Sequence, residues 1–429
     1  MFFDSVQQGP PDIMYHLKVQ ADGDTSPNKV DLGVGIYRNE KGAYHELKAL
    51  RDYEVTTGNS KYLQLAAALV FGKNSQLVAS SQVASVQTIS GTGSIHVALM
   101  FLSHSVPGKK RTVYVGTPAW GNYEPMTKLA GLDFQSYKHY SPETGGVDWE
   151  SVTEAASSAP QGSIFVLQAC CHNPTAADFS EEQWRDLATI MKRRQLIPLF
   201  DIAYQGLGNG LEKDIYCVRH FAQEGLEMLV CQSFSKNFGL YGERVGALHA
   251  VALTQKAAMA IHDQLRFLIR SEFSSSPAFG ARLVTHVLSD SSLEASWNEE
   301  LNDLRQRLHT LRAKLFDLLS NVYKNLYTEK ITDSRRLECN YQRNWAFLVG
   351  RPWRALVTSR DANRCSLLPL SPQQCQELKN EYHIYMVPNG RITIPGLNAK
   401  NIEYVAKSIN SVVRDTQTHA GNQPVGGRQ

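Results

Sequence analysis

Apolar residues along this chain follow two rhythms. Through the middle, short β-branched or continuously apolar runs end in turn residues and give way to helix-like stretches. QTIS (87–90) leads through GTGS into the apolar run IHVALMFLSH. TVYVGT (112–117) stops at Pro118, SIFVLQAC (163–170) stops at HNPT, and LIPLFD and MLVCQSF (228–234) repeat the pattern. Between them, EEQWRDLATIMKRRQ reads as a helix. Ser180 and Gln183 have the spacing of a capping box, and Phe179 and Trp184 can staple its start. Buried strands alternating with helices predict an α/β fold with a largely parallel sheet.

A different rhythm begins near residue 295. Leu301, Leu304, Leu308, Leu311, Leu315, Leu318 and Val322 recur three and four apart, which is one apolar stripe on a long helix. The expected organisation is a large α/β domain over 29–303. A smaller α+β domain would combine 1–28 with 304–413, the long helix joining the two. The polar, Gly- and Gln-containing stretch 414–429 reads as a disordered tail.

A chain of 429 residues suits this two-domain plan, and 42% apolar with 20% charged residues is ordinary for a globular protein. A net charge of +3 without a run of like charge argues against nucleic acid or a polybasic membrane contact. Seven scattered cysteines, with no CxxC pair, read as reduced thiols and not as a metal site. The first residues lack the basic-then-apolar pattern of a targeting segment, and no apolar run reaches the roughly 18 residues of a spanning helix. Cytoplasm is the expected location.

Polar groups gather where the strands end, the edge at which open α/β sheets bind ligands. Ser90-Gly91-Thr92-Gly93 lies between strand and helix, where glycines and free N–H groups can admit a phosphate, although any tight turn would look the same. Lys236 follows a strand inside SFSKNFGLYGERVG, a setting for a Schiff-base lysine, and Arg244 can fork onto a phosphate. Asp201, ending LIPLF, could hold a pyridine nitrogen protonated or simply cap a helix. Asn173 in HNPT could donate to a ring oxygen, and Trp120 in TPAW could stack on a flat ring. Taken singly, a turn asparagine and a core tryptophan are the commoner readings.

Together these strings resemble the aspartate aminotransferase family of pyridoxal 5′-phosphate (PLP) enzymes. The resemblance starts at VDLGVGIYRNEKG and continues through SGTGS, TPAWGN, HNPT, FDIAYQG and SFSKNFGLYGERVG to HIYMVPNGRITIPGLNAKNIEYVAKSI, spanning nearly the whole chain. It implies a large PLP-binding domain with a helix-flanked, mostly parallel sheet. It implies that Lys236 forms the Schiff base and then moves the substrate proton. Asp201 would pair with the ring nitrogen, Tyr204 and Asn173 with the phenolic oxygen, and Trp120 would stack on the ring. Gly91, Thr92, Ser233 and Arg244 would hold the phosphate, with Tyr53 reaching it from the other subunit of a homodimer. Arg391 would bind the substrate α-carboxylate, Arg270 of the neighbouring subunit a distal carboxylate, and Gly35 would lie beside the substrate.

Two arginine forks imply a dicarboxylic amino acid, aspartate or glutamate, exchanging its amino group with a 2-oxo acid in ping-pong fashion. A specialised biosynthetic aminotransferase pairing glutamate with a non-acidic partner is the alternative. A binding protein that has lost catalysis would have no physical reason to keep Lys236, Asp201, Arg244 and Arg391. The chain departs from the family's pattern in places. Tyr123 and Gln168 replace two histidines that support the aspartate, so a shifted cofactor pKa is expected. Ala176 replaces a glycine, and Ser274-Ser275-Ser276-Pro277 replaces S-N-P-P. The arginine-rich stretch 340–368 has no recognisable family pattern.

Overall fold

The computed structural model describes residues 2–8, 23, 25, 55–142, 144–331, 365–368, 370–388 and 390–420. Gly35, Tyr53 and most of 340–368 lie outside the described residues. Among the described residues, nine strands precede the long helix: β1 (Val83–Ile89), β2 (Thr112–Thr117), β3 (Asp133–Lys138), β4 (Tyr140–Ser141), β5 (Gly146–Val147), β6 (Ile164–Gln168), β7 (Ile197–Ile202), β8 (Met228–Ser233) and β9 (Val245–Val251). Seven form one sheet in the order β1-β9-β8-β7-β6-β2-β3. The pairings from β8 across to β3 are parallel, whereas β9 runs antiparallel to both β1 and β8.

The predicted strands are present because each is buried on both faces, as strands covered by crossover helices must be. β7, β8 and β9 are buried throughout. One apolar cluster, with Val113, Leu199 and Leu248, packs under the helices Ser90–His104 and Gln255–Glu272. The other, with Phe165, Phe200 and Phe221, packs under Glu181–Arg194 and Tyr216–Gln223. The capping box of Ser180 and Gln183 forms, and Phe179 meets Trp184 edge-to-face at 4.6 Å.

The long helix spans Ser291–Ile331 and divides its apolar stripe between two cores. Leu301 packs with Cys170, Cys171, Tyr204 and Leu207 beside the main sheet. Leu308, Leu311, Leu315 and Leu319 pack with Leu368, Leu378, Ile402 and Ile409, around the small sheet of β10 (Cys365–Leu367) and β11 (Arg391–Thr393). Leu304 departs from the expected stripe. It is exposed and Leu319 takes a buried place, because the helix changes its packing partner between residues 301 and 308.

Two further points modify the expected organisation. Phe3 and Val6 join the core of the large sheet, Phe3 meeting Phe101 at 5.9 Å, so the described start of the chain sits there and not on the carboxy-terminal core. The last helix, Ile402–Ala420, continues past Arg414 into the stretch read as a disordered tail. Ile402, Ala406, Ile409 and Val412 bury one face of it, and helical propagation carries the backbone further. No helix among the described residues is long and apolar enough to cross a membrane.

Candidate active site

The carboxyl ends of the parallel strands surround a cavity of about 130 Å³. Gly91, Thr92, Trp120, Asn173, Asp201, Tyr204, Ser233, Lys236 and Arg244 all line it. They come from five separate chain segments, which strand order brings to one edge. Ser90, Gln168, Ser235 and Tyr241 line it as well. Sequence reasoning placed Ser90 in the turn that could admit a phosphate and Gln168 beside the aspartate, but gave Ser235 and Tyr241 no role, although both lie within the string that carries Lys236.

Backbone geometry sets the end of the cavity at the helix start. Ser90 opens the helix Ser90–His104 with φ +62°, and its N–H bonds the carbonyl of Arg244, itself at φ +54°. Gly246 lets these two segments meet, since a Cβ there would lie 2.5 Å from the Ser90 carbonyl carbon. A Cβ on Gly91 would lie 2.9 Å from that of Ser233. Ser90 Oγ is 2.9 Å from Ser235 Oγ and 3.4 Å from Ser233 Oγ. A helix N-terminus and hydroxyls therefore share one end of the cavity, with Arg244 among its lining residues and its Nη1 donating to the Tyr241 carbonyl at 2.9 Å.

Asp201 sits at the other end, buried, in β7. Its Oδ2 accepts the Tyr123 hydroxyl at 2.6 Å, and its Oδ1 receives no hydrogen bond among the described residues. Burial raises its carboxyl above the ordinary range, while the Tyr123 hydrogen bond and the charge of Lys236 pull it down. Burial and the neighbouring Asp201 push the Tyr123 phenol well above its usual value. Lys236 Nζ stands 4.9 Å from the centre of the Tyr204 ring. Asn173 is held by Gln168 through two bonds, its N–H to Gln168 Oε1 at 2.8 Å and Gln168 Nε2 to its carbonyl at 3.3 Å. The Asn173 Oδ1 is buried without a hydrogen-bond partner among the described residues.

The two expected histidine replacements therefore act differently. Tyr123 contacts Asp201, whereas Gln168 braces the Asn173 turn. Arg270 and Arg391 do not line this cavity. Arg270 lies in the last turn of the helix Gln255–Glu272, with Nη1 donating to Ser274 Oγ, and Arg391 opens β11 opposite Leu367.

An open carboxylate oxygen, a buried asparagine amide, an indole, a lysine and a helix N-terminus lining one cavity fit a flat, phosphorylated pyridine aldehyde. Fold and site define a PLP-dependent enzyme. The family model for aminotransferase class I and II matches residues 27–409, and the chain belongs to that family; it is a PLP-dependent aminotransferase. It is 45% identical over 414 residues to the aminotransferase tasG of Hapsidospora irregularis, covering 96% of this chain and 97% of that protein. To the mitochondrial aspartate aminotransferase of Dictyostelium discoideum it is 37% identical over 425 residues, covering 96% and 93%. The aromatic-amino-acid aminotransferase of Burkholderia pseudomallei, solved covalently bound to PLP, superposes with a TM-score of 0.73. It shares 33% identity, with 96% of this chain and 99% of that one covered.

Proposed function

We propose that the enzyme transfers the amino group of a dicarboxylic amino acid, aspartate or glutamate, to a 2-oxo acid, both half-reactions using one site in turn. The observation that carries this reading is the placement of Lys236, Asp201, Asn173 and Arg244 around one cavity in a chain of this family. When bound, the cofactor supplies an electron sink that acidifies the substrate Cα–H. Lys236 would hold it covalently and afterwards take the proton from the substrate Cα, its amine being within the same cavity. Asp201 Oδ1 would face the ring nitrogen and keep it protonated. Asn173 and Tyr204 would hydrogen-bond the ring oxygen, Trp120 would cover the ring and exclude water from it, and Ser233, Arg244, Gly91 and Thr92 would hold the phosphate. Arg391 would bind the α-carboxylate. Gly35 and, from a second subunit, Arg270 and Tyr53 complete the proposal, which makes the enzyme a cytoplasmic homodimer with a large domain near 29–303.

Mixing the PLP-loaded protein with single amino acids, without an oxo acid, tests the substrate class. Aspartate and glutamate are expected to convert the cofactor absorbance, and tyrosine, phenylalanine, alanine and lysine are not. Conversion by glutamate and a non-acidic donor would select the second reading, a specialised biosynthetic aminotransferase. The serines at 274–276, beside Arg270, favour that second reading as the place where a side-chain pocket differs.

A further inference from the structure

Tyr204 enters the cavity from a turn with little shape of its own. Gly206, Gly208 and Gly210 follow it closely, and glycines impose no backbone preference. One buried carboxylate gives the turn its form. Asp214, in the short 3₁₀ helix Lys213–Ile215, accepts the N–H groups of Gly206 and Gly208 on Oδ2, at 2.8 and 3.0 Å. Its Oδ1 accepts the N–H of Asn209 at 2.6 Å. The Asp214 N–H bonds the Gly210 carbonyl at 3.0 Å, and the Leu207 N–H bonds the Tyr204 carbonyl at 2.9 Å, so the loop is closed from one end to the other.

This turn rests directly on the one that carries Asn173. A Cβ on Gly208 would lie 2.6 Å from Asp214 Oδ1 and 3.0 Å from Cys171 Sγ, so the two turns meet with no room for a side chain. Cys170, Cys171, Tyr204 and Leu207 share one apolar cluster. Asp178 braces the other turn in the same manner, Oδ2 accepting the N–H of Cys171 and Oδ1 that of His172, each at 2.6 Å.

We propose that Asp214 is a positioning residue for the cofactor's ring oxygen: by folding 204–210 against the Asn173 turn, it brings the Tyr204 hydroxyl and the Asn173 amide to bear on one atom. The inference rests on the reading of Tyr204 and Asn173 as partners of that oxygen. Two donors to one acceptor must be held within about 0.5 Å of their places, and neither turn sets that spacing alone.

Burial raises the Asp214 carboxyl to about 6, against the pull of its three backbone bonds and of Arg305 on the long helix, so it is charged at neutral pH. The thiols that face it are protonated. Cys170 is pushed well above its usual value by its hydrogen bond to Cys171 and by burial. The same hydrogen bond favours the charged form of Cys171, but burial pushes that thiol up to about 11, with Asp178 and Arg312 acting on it in opposite senses. Burial also pushes Cys217 up. Glu212, two residues before Asp214, is exposed and bonded to Arg219.

The test is the pH titration of the bound cofactor's absorbance, read on the loaded enzyme without substrate. Hydrogen bonds donated to the ring oxygen stabilise the form that has lost its proton, so their loss moves the titration to higher pH. Removing the negative charge of Asp214 would by itself move it to lower pH, so an upward shift reports the donors. Tyr204→Phe removes one donor and sets the scale. Asp214→Asn is expected to shift the titration upward by about half a unit or more, and its combination with Tyr204→Phe to shift it by less than the sum, because the carboxylate acts through the phenol. Gly208→Ala keeps the carboxylate and forces the two turns apart. It is expected to shift the titration the same way, and decides the matter if Asp214→Asn fails to fold. Lower urea stability with an unmoved titration would make the carboxylate merely structural and overturn the proposal, as would a downward shift or full additivity in the double variant. If Tyr204→Phe itself leaves the titration unmoved, the ring-oxygen reading falls and takes this inference with it.

Discussion

Trp297, on the long helix, donates its indole N–H to the carbonyl of Asn237, the residue after Lys236, at 2.9 Å. Its ring also stacks on Phe238 at 4.5 Å, and Asn237 Nδ2 bonds the Gln205 carbonyl. The helix that carries the carboxy-terminal core thus grips the turn that carries the Lys236 amine. Trp297→Phe keeps the stacking and removes one partly buried hydrogen bond, a loss of about 1 kcal/mol in stability. Cofactor loading is expected to stay complete while kcat falls several-fold, read by steady-state kinetics beside a urea melt. Unchanged kcat at reduced stability would reduce the contact to packing.

Ala176 occupies the left-handed region at φ +59°, its N–H bonded to the His172 carbonyl at 2.8 Å. A Cβ in that conformation costs about 1–2 kcal/mol, partly offset by the freer unfolded chain that glycine brings. Ala176→Gly is therefore expected to stabilise the protein by about 0.5–1 kcal/mol, measured as a higher urea midpoint at constant slope. The turn it closes carries Asn173, so kinetic constants should hold.

Much of this architecture is written locally. Ser180 and Gln183 announce their helix because capping depends on residues three apart, and the strand cores show as uninterrupted apolar runs. The cavity residues were legible because they end a strand or lie in the segment that follows one, and parallel strands deliver their ends to one edge. What stayed hidden depends on distant partners. Glu227 binds the N–H groups of Phe2 and Phe3 from more than two hundred positions away, so nothing near the chain start reveals where it docks. The antiparallel β9 reads like any buried strand, and direction leaves no trace in its composition. Leu304 belongs to the apolar stripe in sequence and faces solvent because the helix passes from one core to another there. Tyr123 was visible as a departure, but only geometry separates its bond to Asp201 from the different task of Gln168.

Buried imidazoles make folding stability fall in acid. Burial lowers His249 to about 3 and His139 to about 4, below the ordinary value that both regain on unfolding. As pH falls below about 6.5, the unfolded chain takes up protons that the folded one refuses, so their contribution is complete above that value and is lost towards pH 4. The slope approaches about 1.4 kcal/mol per pH unit for each histidine. Asp214, raised to about 6 by burial, works in the opposite sense, so the comparison must be made between variants. The difference in urea stability between wild type and His249→Gln is expected to change steadily between pH 6.5 and 4, and to stay constant from 7 to 8.5. A constant difference throughout would show that His249 protonates freely when folded.

Arg391 and Arg270 should separate the two ends of the substrate. Arg391 is fixed in β11 by pairing with Leu367, on the core that the long helix ties to the Lys236 turn. Every amino acid presents an α-carboxylate, so Arg391→Ala should raise KM for all donors, by about 10–100-fold for a lost charge-assisted pair. Only a dicarboxylic donor presents a second carboxylate. Arg270→Ala should therefore raise KM for aspartate and glutamate by a similar factor while leaving any non-acidic donor unaffected or improved. Arg270 donates to Ser274 Oγ in the structure, so it is engaged by a neutral hydroxyl that a carboxylate can outcompete. Initial rates with aspartate and with phenylalanine for both variants decide the matter. Equal losses on the two donors in Arg270→Ala would deny this arginine a part in selecting dicarboxylates, and would place the selection elsewhere in the pocket.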